Sequence, residues 1–162
     1  MCFVDVYKNL TDSWRKITGK SPKDGRYRCD KEKRGGFETE GWYRFVGDAG
    51  THLSTKPPGF LRPLDSGLTA SGTSYKECCG TNYVGWMKGE HPTINDGLVT
   101  REFCFHTTTG ECQWTVMSQV RTCPVKDEYT VFRGRVWNTE TFYVYYLKFP
   151  KFLTCNAGYC AL

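Results

Sequence analysis

Residues Thr141–Leu147 read TFYVYYL, seven positions of which six carry large apolar or aromatic side chains. Side chains alternate across a strand, so Phe142, Val144 and Tyr146 face one way while Tyr143, Tyr145 and Leu147 face the other. A strand apolar on both sides belongs inside a sheet or beneath a second layer. Its phenol hydroxyls then require partners or water. Residues 41–46, GWYRFV, are likewise aromatic and β-branched, and they stop at the turn composition Gly47-Asp48-Ala49-Gly50. Residues 113–121, QWTVMSQVR, place Trp114, Val116, Ser118 and Val120 on one face.

Phe132-Arg133-Gly134-Arg135-Val136-Trp137 predicts an extra hairpin before the TFYVYYL strand, within a permissive stretch at 126–141. Residues 56–74, KPPGFLRPLDSGLTASGTS, predict a long surface loop. Helix signals are thin, with one turn expected near Asn9-Leu10-Thr11-Asp12-Ser13-Trp14. The fold class expected is all-β, or β-rich with at most a short helix. With 162 residues and no internal repeat, a single domain over 1–162 is expected. An aromatic content of 15% is incompatible with a disordered tail. No run of 18 apolar residues exists to form a membrane-spanning helix.

Nine cysteines are dispersed over the chain: Cys2, Cys29, Cys78, Cys79, Cys104, Cys112, Cys123, Cys155 and Cys160. Such usage fits an oxidised, extracellular framework in which each bridge contributes ~2–4 kcal/mol. The odd number leaves one thiol free or joined to another molecule. The first ten residues, MCFVDVYKNL, contain no apolar core of a signal peptide. Two readings stay open: a chain that follows a removed leader, or a cytosolic chain carrying thiols. The sequon Asn9-Leu10-Thr11, which makes Asn9 a glycosylation candidate, favours the first.

The chemistry-bearing residues form no catalytic signature. Cys104 or Cys112 with His106 would suggest a thiolate and its base, but no third orienting group or oxyanion motif accompanies them. Cys78, Cys79, Cys104 and His106 are zinc-type ligands, yet adjacent cysteines are poor chelate spacing and there is no C-x-x-C. Asp48, Asp96 and Glu111 are scattered, and Arg34-Gly35-Gly36 lacks the ending of a phosphate-binding loop. No enzyme activity, cofactor or metal is expected.

Formal charge is +5. Between Arg15 and Arg34 nine basic residues face Asp24, Asp30 and Glu32, a net +6 within twenty positions. This stretch reads as a solvated loop with weak affinity for polyanions. Nucleic acid is not an expected partner. Trp42, Trp86 and Trp114 are candidates for a carbohydrate site, although tryptophan in a small disulfide-rich domain usually belongs to the core.

The cysteine order resembles a known family when it is combined with six short motifs. These are Gly41-Trp42-Tyr43-Arg44-Phe45, Trp86-Met87-Lys88-Gly89-Glu90-His91-Pro92, Gly97-Leu98-Val99-Thr100-Arg101, Cys104-Phe105-His106, Cys112-Gln113-Trp114 and Tyr143-Val144-Tyr145. Together they resemble the eight- or ten-cysteine module of uromodulin and pancreatic granule membrane glycoprotein 2. The resemblance implies the pairs Cys2–Cys123, Cys29–Cys155, Cys79–Cys160 and Cys104–Cys112. It leaves Cys78 as a free or intermolecular thiol, because Glu111 stands where the ten-cysteine form has a further cysteine.

The family's glycan in the segment matching Trp86-Met87-Lys88-Gly89-Glu90 has no sequon here, so the decoy role that such a glycan gives relatives is not inherited. The stretches 56–74 and 126–141 look like loop insertions relative to the family. The resemblance implies a secreted, non-catalytic binding module whose partner is an extracellular protein or glycoconjugate, or a second copy of itself, with recognition carried by those loops. The alternative is a structural subunit of an extracellular filament or matrix, joined through strand edges or Cys78. A glycan-binding domain ranks behind both.

Overall fold

A computed structural model describes residues 2–3, 6–17, 29–30, 39–57, 81, 83–107, 110–125, 130–132, 135–137, 140–149 and 157–162. The chain is β-rich. Its strands are β1 (Lys8–Leu10), β2 (Gly41–Phe45), β3 (Tyr83–Lys88), β4 (Leu98–Thr107) and β5 (Gly110–Pro124). They are followed by β6 (Thr130–Phe132), β7 (Arg135–Trp137), β8 (Thr141–Leu147) and β9 (Ala157–Tyr159). Seven form one sheet in the order β1-β2-β8-β5-β4-β3-β9, and β6 pairs with β7 as a separate antiparallel hairpin. Among the described residues, helix is confined to 3-10 turns at Ser13–Arg15, Gly47–Ala49 and Ile94–Asp96.

The TFYVYYL strand lies inside the sheet, antiparallel to β2 on one side and to β5 on the other. Both of its faces are buried, as its composition requires. Tyr145 and Leu147 join the principal core with Tyr43, Phe45, Phe103, Phe105, Met87, Val120 and Tyr159. On the opposite face Phe142 and Val144 pack with Cys123, flanked by Cys2, Tyr7 and Trp42. Each such side chain removed from water contributes about 1.5–3 kcal/mol. The segment 41–46 ends one residue earlier than its composition suggests, at Phe45, and the expected turn closes as the 3-10 turn Gly47–Ala49. In β5 the expected alternation holds: Val120 and Ser118 are buried, Trp114 and Val116 are half-buried, and Thr115, Met117 and Gln119 are exposed.

The expected turn near Asn9–Trp14 is preceded by a short strand, β1, which pairs in parallel with β2. The hairpin expected at 132–137 is present as β6 and β7. Residues 58–74 of the expected loop lie outside the described residues, as do Cys78, Cys79 and Cys155.

One expectation about the basic stretch is corrected. Arg15 and Asp30 are not part of a solvated loop; both are buried and joined as an ion pair, Arg15 Nη2 to Asp30 Oδ1. Arg15 Nη1 also donates to the Tyr159 carbonyl at 3.1 Å, and the Tyr159 N–H donates to Asp30 Oδ2 at 2.7 Å. Charges can leave water only when paired and hydrogen-bonded in this way. The pair cancels, so it leaves the net charge of the stretch unchanged. Lys16 is exposed, and 18–28 and 31–34 lie outside the described residues.

Candidate functional site

Two bridges are seen whole. Cys2–Cys123 spans a sequence separation of 121 with Cα atoms 5.5 Å apart. It fastens the first residues to the face of β5 and β8 that carries Phe142. Cys104–Cys112, with Cα atoms 4.8 Å apart, closes the β4–β5 hairpin beside an irregularity between Phe105 and Thr107. Cys29 and Cys160 are also disulfide-bonded, to residues outside the described ones.

This chemistry removes the nucleophile considered from sequence, because a bridged Cys104 or Cys112 offers no thiolate to His106. His106 is buried at the end of β4, and burial holds its pKa below the ordinary value. Glu102 lies with Cys104 and Cys112 within ligand reach, but both sulfurs are spent on the bridge. Asn9 is exposed on the edge strand β1.

The structure assembles a histidine–tyrosine cluster that sequence reading had not grouped. Buried Tyr145 accepts a hydrogen bond from the Leu53 N–H at 3.0 Å, and its oxygen lies 2.6 Å from His91 Nε2. Burial pushes the Tyr145 pKa well up, so the phenol keeps its proton within the hydrogen bond it shares with His91. His91 in turn is held down to about 4, mainly by burial and secondarily by His52 and Arg101. Its ring leans on Tyr143 at 4.2 Å and meets His52 edge-on at 5.5 Å. Both histidines are therefore neutral at pH 7, His52 also through burial. The cluster ties the 51–54 segment to β8. Every cysteine among the described residues is bridged, so none of them supplies a thiolate for these histidines to activate.

Next to it, where β2 ends and β8 begins, a cavity of about 380 Å³ is lined by Arg44, Gly47, Thr51, His52, Thr141 and Tyr143, among others. A second depression, an open groove of about 490 Å³, runs across the outer face of the sheet. It is lined by Thr100, Met117, Ser118, Gln119, Tyr146 and Lys148. Its floor is aligned by register, with Thr100 opposite Gln119 and Trp42 opposite Tyr146. Trp42 meets Tyr146 edge-on at 5.5 Å. Lys148 Nζ donates to the Met117 carbonyl at 3.2 Å, and the Ser118 hydroxyl donates to the Tyr146 carbonyl.

Met117 is 58% exposed, a large apolar side chain in the middle of a sheet. The signal for this groove was present in the alternation of 113–121, whose second face carries Met117 and Gln119, but only pairing shows what lies beside them. Of the tryptophans, Trp86 is buried and donates to the Glu111 carbonyl at 2.9 Å, whereas Trp42 and Trp114 are half-buried.

A β-rich, largely helix-free sheet sealed by disulfides defines a disulfide-stabilised extracellular module. Comparison with known proteins places it more closely. Residues 43–161 match the family model of the uromodulin-like cysteine-rich domain, and the chain belongs to that family. It is 29% identical over 156 residues to uromodulin of Rattus norvegicus, which covers 96% of this chain and 18% of that protein. Uromodulin of Mus musculus is 29% identical over 157 residues, with the same shares covered. The pancreatic secretory granule membrane major glycoprotein GP2 of Canis lupus familiaris is 34% identical over 110 residues, covering 68% of this chain and 17% of that protein. The chain thus spans less than a fifth of the length of these relatives. Members of this family are secreted, cysteine-rich, non-catalytic modules, and this chain is one of them.

Proposed function

We propose that residues 1–162 act as one module that docks an extracellular protein or glycoconjugate on the outer face of its sheet. The observation that carries this reading is exposed Met117 over a groove walled by Tyr146, Gln119, Thr100 and Lys148. An apolar centre ringed by polar groups is the usual anatomy of a protein interface. The proposed framework completes the bridges as Cys29–Cys155 and Cys79–Cys160, with Cys78 the remaining thiol and Asn9 carrying a glycan on the sheet edge. Variation in the insertions at 56–74 and 126–141 tunes which partner is recognised. Residual polyanion affinity resides in 15–34, which carries a net charge of +6.

Assembly through strand edges is the weaker reading, because β1 and β9, the two edges, are only three residues long. Short edges are poor templates for pairing between chains. The test is an array of secreted and cell-surface ectodomains and glycans, probed with the secreted chain and with Met117→Glu. The expected result is a binder lost in the variant while its near-ultraviolet circular dichroism is unchanged. Binding that survives Met117→Glu overturns the groove. Self-association in sedimentation that is lost in Cys78→Ser would favour the filament reading instead.

A further inference from the structure

Two arginines of this sheet, Arg44 and Arg121, have a buried Nε without a hydrogen-bond partner, and of the two it is Arg44 that lines the cavity of about 380 Å³. Its guanidinium lies over the Phe142 ring at 3.8 Å, which fixes its position. Its Nε is buried without a hydrogen-bond partner, and Arg44 ion-pairs with no carboxylate among the described residues. Buried donors in folded proteins are nearly always satisfied, and guanidinium is built for planar anions. A cation held in place without its anion and lining a cavity marks a position for an anion from outside.

The cavity that Arg44 lines supplies the rest of a small polar ligand's needs. His52 Nδ1 is engaged by Thr51 Oγ1 at 2.8 Å, which leaves Nε2 for another partner. Thr141 opens β8 on the exposed side and contributes a hydroxyl. Half-buried Tyr143 gives the wall an aromatic surface. Gly47, at φ +58°, has no atom within 4 Å of where a Cβ would stand, so the rim is open on that side. The volume of about 380 Å³ falls inside the ~300–1,000 Å³ range of small-molecule sites.

We infer that this cavity binds an acidic monosaccharide unit, a sialic or uronic acid residue, with its carboxylate on Arg44 and its hydroxyls on Thr141 and His52. The site lies at the junction of β2 and β8 and stands apart from the groove around Met117, so either reading can fail alone.

The experiment is amide-resolved NMR titration of the disulfide-bonded chain with the methyl glycoside of N-acetylneuraminic acid and with methyl glucuronide, alongside the neutral methyl ester of each. The expected result is saturable shifts at residues 47, 51, 52 and 141 with one or both acids, at least tenfold weaker with the esters. Which acid binds more tightly assigns the sugar. Arg44→Gln and Thr141→Tyr should each weaken binding at least tenfold, the first by removing the cation and the second by filling the cavity with Arg44 in place. Arg121→Gln, on the same face but outside the cavity, should bind as the parent does. Esters that bind as well as the acids, retained binding in Thr141→Tyr, or shifts confined to other residues overturn the inference.

Discussion

His91 shows how much one side chain's protonation can carry in this fold. Its Nε2 shares a hydrogen bond with the Tyr145 hydroxyl at 2.6 Å. Burial, His52 and Arg101 hold its pKa at about 4 against 6.5 for a free histidine. The unfolded chain therefore binds more protons than the native one between those values, and stability falls as pH is lowered from about 6.5 toward 4. The full shift corresponds to about 3 kcal/mol, and solvent screening of the part-exposed ring reduces this to roughly 2. Urea unfolding at pH 7 and pH 4.5 should show that loss. In His91→Gln, which keeps a hydrogen-bonding group without a titration, the slope should flatten over the same window; an unchanged slope would assign it to other groups. Asp30 contributes in the opposite sense, since burial raises its pKa despite Arg15 and the Tyr159 N–H.

Among the elements, β8 was the most legible, because seven residues without an exposed face admit few placements. The alternation of β5 was equally plain. The short strands β1 and β9 were not, since three residues carry no period, and both gain their structure from parallel partners far away in sequence. The same limit hid the candidate sites. Arg44 reads as the polar position of an alternating strand, and nothing local says that Phe142 will lie beneath it. His52 and His91 sit in irregular segments and are brought together only by the sheet.

Gly85 in β3 illustrates a constraint of the same non-local kind. A Cβ there would stand 2.7 Å from Tyr159 Cδ1 and 2.9 Å from Phe105 Cε1, rings packed from β9 and β4. Gly85→Ala should cost about 1–3 kcal/mol by forcing those rings apart. Gly41→Ala, whose Cβ would meet its nearest atom at an ordinary 3.7 Å, should cost much less. Midpoints of thermal unfolding, measured with the disulfides intact, compare the two; equal midpoints would mean that the rings yield freely.

At the scale of the molecule, the open question is whether the residues before 43, outside the matched family region, are an appendage or part of the fold. Leu10 is buried in the principal core, and the Ile17 N–H donates to the Ala161 carbonyl at 2.7 Å. Arg15 joins three distant pieces of chain, since its guanidinium holds Asp30 and the Tyr159 carbonyl together. It also lies 4.3 Å from the centre of Trp14. Gly158 lies under that tryptophan, with no room for a side chain: a Cβ would come within 2.7 Å of the indole. Removing one member of a buried pair strands the other charge, which typically costs 3–5 kcal/mol, whereas replacing both with apolar groups of similar volume is often close to neutral.

Arg15→Met should therefore lower the stability of the whole sheet by roughly 3–5 kcal/mol, and Arg15→Met with Asp30→Leu should restore most of the loss. Hydrogen exchange at Val120 and Val144, deep in β5 and β8, reads the global transition and should accelerate in the single variant. If only residues 8–17 exchange faster while β5 and β8 keep their protection, the early segment is an appendage and the module is confined to the region from 43 onward.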